Sequence, residues 1–192
     1  MTSYLFSDRL KSETLSNHQQ LEKLLVNRIR QIRNAGDYLV LLQLFYAYFA
    51  RLEELLDQHL DRTKIPDYDK RRKADTLLRD IRSLNGEPWE MNERLDLPAI
   101  SNHAQGLGAM YVFEGSTLGG SVIVGMLNKQ LKIDNGACFN YFGGYGADNQ
   151  AMWQEFKTLL NQQMFTHTDA AEMVASANQT FSGLENWLKR ND

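Results

Sequence analysis

Two groups of residues in this chain have types and spacings able to do chemistry. The first is the segment Gly106-Leu-Gly-Ala-Met-Tyr-Val-Phe-Glu-Gly-Ser-Thr-Leu-Gly-Gly120, five glycines inside an apolar helical pattern that continues through Val122, Ile123, Met126 and Leu127. At about 100° per residue, Gly108, Gly115 and Gly119 fall on one stripe. Each mid-helix glycine costs about 1 kcal/mol relative to alanine, so the cluster implies close approach of something to the backbone, either another helix or a flat ligand. The second group is His18, with Glu22 four residues later and Lys11 seven residues earlier, all near one helical stripe. Alone, His18 reads as a half-buried histidine bonded to Glu22 with Lys11 in solvent, and Gly115-x-x-x-Gly119 as a helix-packing motif. Together they suit a flat metal macrocycle: an axial imidazole on one helix, a side-chain-free helix over the opposite face, and a cation for peripheral carboxylates.

Helices must position these residues. The pattern is helical nearly throughout, with prolines only at 66, 88 and 98, where helices can start or stop. The apolar side of a first helix, about Asp8 to Arg33, carries Leu10, Leu21, Leu24, Leu25, Ile29 and Ile32. Asn34-Ala-Gly36 stops it, and Asp37 is read as the N-cap of a second helix through about Leu60. A third is expected from Tyr68 to Leu84, ended by Asn85-Gly86. Pro98 is placed in the first turn of the fourth, Gly-rich helix, which runs to about Leu131. Phe139 to Gly146 reads as a Gly/aromatic loop, and Gly86 to Leu97 as an irregular connection. Asp148 is the expected cap of a fifth helix to Met164, and Thr166 to Asp169 open a sixth to Lys189. The expectation is one all-α domain over 1–192.

Several chemistries are excluded. The 192 residues contain no Walker A sequence, G-x-G-x-x-G, G-x-S-x-G or C-x-x-C, and no Glu-x-x-His pair of the di-iron type. One cysteine (Cys138) and four scattered histidines (18, 59, 103 and 167) make a closed zinc site improbable. A net charge of −3 leaves no basic footprint for nucleic acid, and Arg71-Arg72-Lys73 reads as the solvated face of a helix. The longest apolar tract, Tyr38 to Ala50, contains Gln43 and is too short for a bilayer, and the first residues lack a signal-peptide pattern. A soluble cytoplasmic protein in a reducing compartment, with no membrane contact, is expected.

Thr14-x-x-x-His18-x-x-x-Glu22, followed by Tyr111-Val-Phe-Glu-Gly-Ser-Thr-Leu-Gly-Gly120, resembles the haem oxygenase family. The Glu-Gly-Ser-Thr-Leu-Gly-Gly form is most similar to its bacterial branch found alongside phytochromes. Tyr141-Phe-Gly-Gly-Tyr-Gly146, with Trp153 and Phe156 following, is similar to the same branch. The resemblance covers about Leu10 to Leu160, in order and with matching spacings.

The resemblance implies a single-domain helical bundle with a kinked, Gly-rich distal helix. His18 would be the proximal ligand of the haem iron and Glu22 its nearby acceptor. Gly115, Gly119 and Gly120 would match the distal glycines, and Lys11 and Lys157 basic positions that meet haem propionates. Tyr111, in the same motif, is counted with the haem-binding residues. Ser116 stands where the animal enzymes carry a distal aspartate, and Asn161 where an arginine helps fix haem orientation. The implied activity is cleavage of haem, which is both substrate and prosthetic group, to biliverdin, ferrous iron and carbon monoxide. Water near Ser116 would supply a proton, and a neutral imidazole lacks the strong push of a thiolate. With no flavin or nicotinamide motif, electrons would come from a separate ferredoxin or reductase. A bacterial phytochrome is an implied user of the product. Two other readings accompany this one: a haem carrier that does not turn over, and a thiaminase-like helical hydrolase or lyase using Cys138 with Glu114 and Glu22.

Overall fold

The computed structural model describes residues 5–71, 73–89, 95–131 and 138–191. These form eight α-helices and four short 3₁₀ turns, and no strand occurs among the described residues. The helices are α1 (Phe6–Gln31), α2 (Ala35–His59), α3 (Asp75–Ser83), α4 (His103–Gly115), α5 (Gly120–Leu131), α6 (Asn140–Gly143), α7 (Asn149–Gln162) and α8 (His167–Arg190). The expected all-α architecture is present.

α2 is apolar on nearly every side and forms the centre of the bundle, with Tyr38, Leu41, Leu42, Leu44, Tyr48, Phe49 and Leu52 all buried. Its polar groups are satisfied locally, since Tyr48 OH donates to the Thr180 carbonyl at 3.1 Å, and the Trp187 indole of α8 donates to the Leu44 carbonyl at 2.9 Å. α8 packs against both α1 and α4. The α4–α8 contact is close because Gly108 lacks a side chain, and a Cβ there would come 2.1 Å from the Met173 carbonyl oxygen. Gly108 therefore serves helix packing, and it shares no continuous stripe with Gly119 because the helix breaks between them.

Several expected boundaries move for physical reasons. Asn34, rather than Asp37, is the N-cap of α2: its Oδ1 accepts from Asp37 N at 3.0 Å while the Asp37 carboxylate accepts from Arg33 N at 2.7 Å. The expected third helix splits into a 3₁₀ turn at Tyr68–Lys70 and α3 from Asp75, because Arg71 is extended (φ −76°, ψ 147°). That backbone sends the Arg71 side chain inward, so Arg71 is buried and not on a solvated face. Lys73 lies over the Tyr68 ring, 3.2 Å from its centroid, and Arg72 lies outside the described residues. Pro98 precedes the fourth helix, which starts at His103 with Asn102 accepting from Gln105 N at 2.9 Å. Asp148 heads α7 without a side-chain cap bond. At α8 the expected opening is a capping box between Thr166 and Asp169. The Gly/aromatic loop contains α6, whose first amides, Asn140 N and Tyr141 N, are taken by buried Asp80 at 3.0 and 2.8 Å.

No single described helix is long and apolar enough to cross a membrane, although α4 and α5 together match by length and composition as a bent pair. Their apolar character follows from burial in α4, where every residue from Gly106 to Glu114 is buried.

His103 links α4 to the end of α2. Its Nδ1 accepts from Asp61 N at 3.1 Å and its Nε2 meets Gln163 Oε1 at 3.2 Å. Burial lowers its pKa below the usual histidine value. The unfolded chain then binds the proton more readily, so stability falls as pH drops below about 6.5. We expect His103→Asn, whose amide oxygen can replace Nδ1 as acceptor, to flatten this acid-side decline in thermal unfolding temperature.

Candidate functional site

His18 lies in the middle of α1, exposed, with its ring edge-on to Phe181 of α8 at 5.5 Å and 74°. It makes no hydrogen bond to a described residue, which leaves an imidazole nitrogen able to ligate a metal. Lys11 and Glu22, two turns before it and one turn after, are exposed on the same helix. One turn before His18, Thr14 is buried, donates to the Leu10 carbonyl at 2.6 Å, and stands beside the Tyr111 phenol of α4. Burial pushes that phenol up, and the Thr14 hydroxyl moderates the shift. Tyr111 thus braces α4 against α1 at one end of the site. Towards the other end, Gln130 of α5 donates to the Arg30 carbonyl of α1 at 3.3 Å.

Between these contacts the Gly-rich segment turns. α4 ends at Gly115, a 3₁₀ turn covers Ser116–Leu118, and α5 begins at Gly120 at 49° to the preceding axis. The glycines of the bend have different surroundings. A Cβ at Gly120 would come 1.7 Å from the Phe142 carbonyl oxygen, so this glycine admits the α6 backbone. A Cβ at Gly115 would meet only the Trp153 ring, at 3.5 Å. At Gly119 a Cβ would meet nothing within 4 Å. Beside it Val122 is 64% exposed, and Leu118 and Leu15 are also exposed for apolar residues. The Ser116 hydroxyl donates to the Phe113 carbonyl at 2.7 Å.

The bend is anchored from beneath by charge. Glu114, the last residue but one of α4, accepts from Arg71 Nη1 at 2.7 Å and from Tyr145 OH at 3.0 Å. Arg71 also pairs with Asp67 at 2.5 Å and donates to the Met152 carbonyl of α7 at 3.2 Å. Burial alone would lower the Arg71 pKa, but Glu114 and Asp67 outweigh it and the net shift is upward. The sequence contained one signal for this network: a lone carboxylate, Glu114, in a fully apolar helix, which requires a buried cation partner. Nothing in the local pattern identified that partner as Arg71.

Two further expected positions are on α7. Lys157 is half-buried on α7. Asn161 is committed to the start of α1, accepting from Ser7 N at 2.9 Å and donating to Ser7 Oγ at 3.1 Å. The residues of the hydrolase reading are engaged in other ways. Glu114 is held by Arg71 and Tyr145, and Cys138 is buried with its thiol pushed up by burial and by Asp80, the opposite of an activated thiolate. Among the described residues no three His, Cys, Asp or Glu side chains gather as metal ligands. The exposed imidazole of His18 could ligate a metal that another group mainly holds.

Known proteins are similar to this chain along most of its length. Residues 5–190 match the family model described as heme oxygenase. A heme oxygenase of Xanthomonas campestris pv. campestris is 30% identical over 149 residues, covering 78% of this chain and 87% of that protein. The NO- and CO-bound heme oxygenase of Neisseria meningitidis superposes with a TM-score of 0.83 at 20% identity, over 98% of this chain and 92% of that one. The heme oxygenase of Leptospira interrogans gives 0.79 at 17% identity, over 97% and 100%. The match along nearly the whole chain shows that this protein belongs to the haem oxygenase family.

Proposed function

We propose that the chain, acting as one all-α unit over 1–192, opens haem to biliverdin with release of ferrous iron and carbon monoxide. The observation that carries this reading is the pairing on one molecule of an exposed His18 on α1, with no hydrogen bond to a described residue, and a bend whose Gly119 faces open space. The residues fit the group. A planar macrocycle needs an imidazole on one face, close backbone on the other, apolar contact for its ring and cations for its carboxylates. His18, Gly115–Gly119, the exposed Leu15, Leu118 and Val122, and Lys11 supply these in turn. When bound, haem supplies the iron that activates dioxygen and the porphyrin that is cleaved.

The chain's own residues do the rest. His18 would offer an imidazole nitrogen to the iron, and Glu22, one turn on, is a carboxylate that could orient the ring through a water. Gly119 leaves room for a small ligand at the bend, Gly115 rests on the Trp153 ring, and the short approach of the backbone excludes larger ligands. Ser116, whose hydroxyl donates to the Phe113 carbonyl, stands at the bend where a water would be held. That water is the proton source in this scheme. Gly120, packed on Phe142, contributes by letting the bend form. Electrons come from a separate ferredoxin or reductase in the cytoplasm, and the likeness to the phytochrome-associated branch makes a bacterial phytochrome the receiver of the biliverdin.

Titration of the haem-free chain should give a one-to-one complex with a histidine-ligated spectrum. Ascorbate and dioxygen should then convert it to a linear tetrapyrrole. A complex that persists under reductant and dioxygen would make the protein a carrier instead.

Lys11, two turns from His18, is placed to meet a propionate at the pocket mouth. Because an exposed ion pair contributes little, Lys11→Ala should weaken haem binding by at most about several-fold. The larger effect should be on orientation: loss of one peripheral contact lets the ring rotate about the iron–His18 axis. The product should become a more mixed set of biliverdin isomers by chromatography, and Lys157→Ala should act in the same direction. An unchanged ratio in both variants would remove these lysines from the site.

A further inference from the structure

The proposed chemistry makes no direct use of Arg71 and Glu114, although both are charged and almost fully buried, at 3% and 1% exposure. Their contacts join four pieces of chain: the end of α4 (Glu114), the turn before α3 (Asp67 and Arg71), α7 (Met152) and Tyr145 in the segment before α7. Arg71 also lies against the Phe156 ring, 5.2 Å from its centroid. Its Nε has no partner among the described residues. The placement thus serves Glu114, Asp67 and Met152 better than it serves the donors of Arg71 itself.

A buried ion pair is a poor device for stability, since apolar residues of similar volume often do as well, but it fixes direction in a way that apolar contacts do not. Direction is what the bend lacks. Residues 115, 119 and 120 are glycines, so side chains cannot interdigitate there to locate the backbone. A planar guanidinium fork can hold a carboxylate and a carbonyl in a set relation. The carbonyl it holds is that of Met152, and the next residue is Trp153, whose ring backs Gly115. One side chain therefore grips both the last turn of α4 and the surface on which Gly115 rests.

We propose that Arg71 is a positioning residue: by holding Glu114 and the Met152 carbonyl together, it sets the height of the Gly115–Gly119 backbone over the haem and so the size of ligand admitted there. This rests on the haem-binding reading above for its second half only.

Two variants test it. Arg71→Lys keeps the charge and loses the fork, while Arg71→Met combined with Glu114→Leu replaces the pair by apolar groups and guards against unfolding from an unpaired buried charge. In the haem-free protein, amide hydrogen exchange at residues 115–120 should quicken at least about tenfold in both, with α2 and α8 unchanged. In the ferric haem complex, imidazole should gain at least about tenfold in affinity relative to azide, because a raised backbone admits the larger ligand. Wild-type exchange at 115–120 in the double variant would overturn the grip. Faster exchange with an unchanged imidazole-to-azide ratio would overturn the link to ligand size. If the wild-type chain binds no haem, the functional reading and the link to ligand size both fail, and the exchange measurement still decides the grip.

Discussion

Replacing His18 by alanine should abolish the histidine-ligated haem spectrum and biliverdin formation while leaving helical content and unfolding temperature nearly unchanged. The side chain is exposed, makes no hydrogen bond to a described residue and stands edge-on to Phe181, so its loss opens no buried cavity. The other histidines have different settings. His103 is tied to Asp61 and Gln163, and neither His59 nor His167 lies on α1. Absorption spectroscopy of the loaded variant, with imidazole added to the buffer as a rescue, checks the assignment. An unchanged Soret band without added imidazole would show that the iron is bound elsewhere.

Gly119 and Gly120 are neighbours in sequence, and substitutions there should fail in opposite ways. A Cβ at Gly119 meets nothing within 4 Å, and its φ of −83° suits any residue. Gly119→Leu should therefore fold normally, with stability unchanged or raised by up to about 1 kcal/mol. It should lose haem or small-ligand affinity by at least about tenfold, because the side chain fills the space the ring requires. At Gly120 a Cβ would sit 1.7 Å from the Phe142 carbonyl oxygen. Gly120→Ala must push α6 away from the bend and should cost about 1–3 kcal/mol, as overpacking does. Thermal unfolding and haem titration of the two proteins separate the cases. A destabilised Gly119→Leu that binds haem normally would mean that both glycines serve packing.

This difference between adjacent glycines was not legible in the sequence. The resemblance implied a kink in the Gly-rich helix, which the structure has, but spacing alone grouped Gly108, Gly115 and Gly119 on one stripe because it treats 98–131 as one straight helix. The chain breaks at Ser116–Leu118, so Gly108 packs on Met173 while Gly119 faces outward. Local signals served best where the physics is local: the apolar side of α1 and the Thr166–Asp169 capping box both follow from residues within a few positions. They failed where a partner is distant. Arg71 resembled any basic residue in a polar run, and only the approach of Glu114, 43 positions away, makes it a core residue. The same holds for α6, a helix too short to have a periodic signal, held by Asp80 from 60 positions upstream.

The central claim is that haem held between His18 and the distal glycines is opened by this chain. It is tested most directly by measuring carbon monoxide released per haem in a single turnover, with catalase present to remove free peroxide. The account predicts about one equivalent of carbon monoxide per haem lost from the Soret band, and none from the His18→Ala protein. Bleaching without carbon monoxide, or an equal yield from the His18→Ala protein, would contradict it.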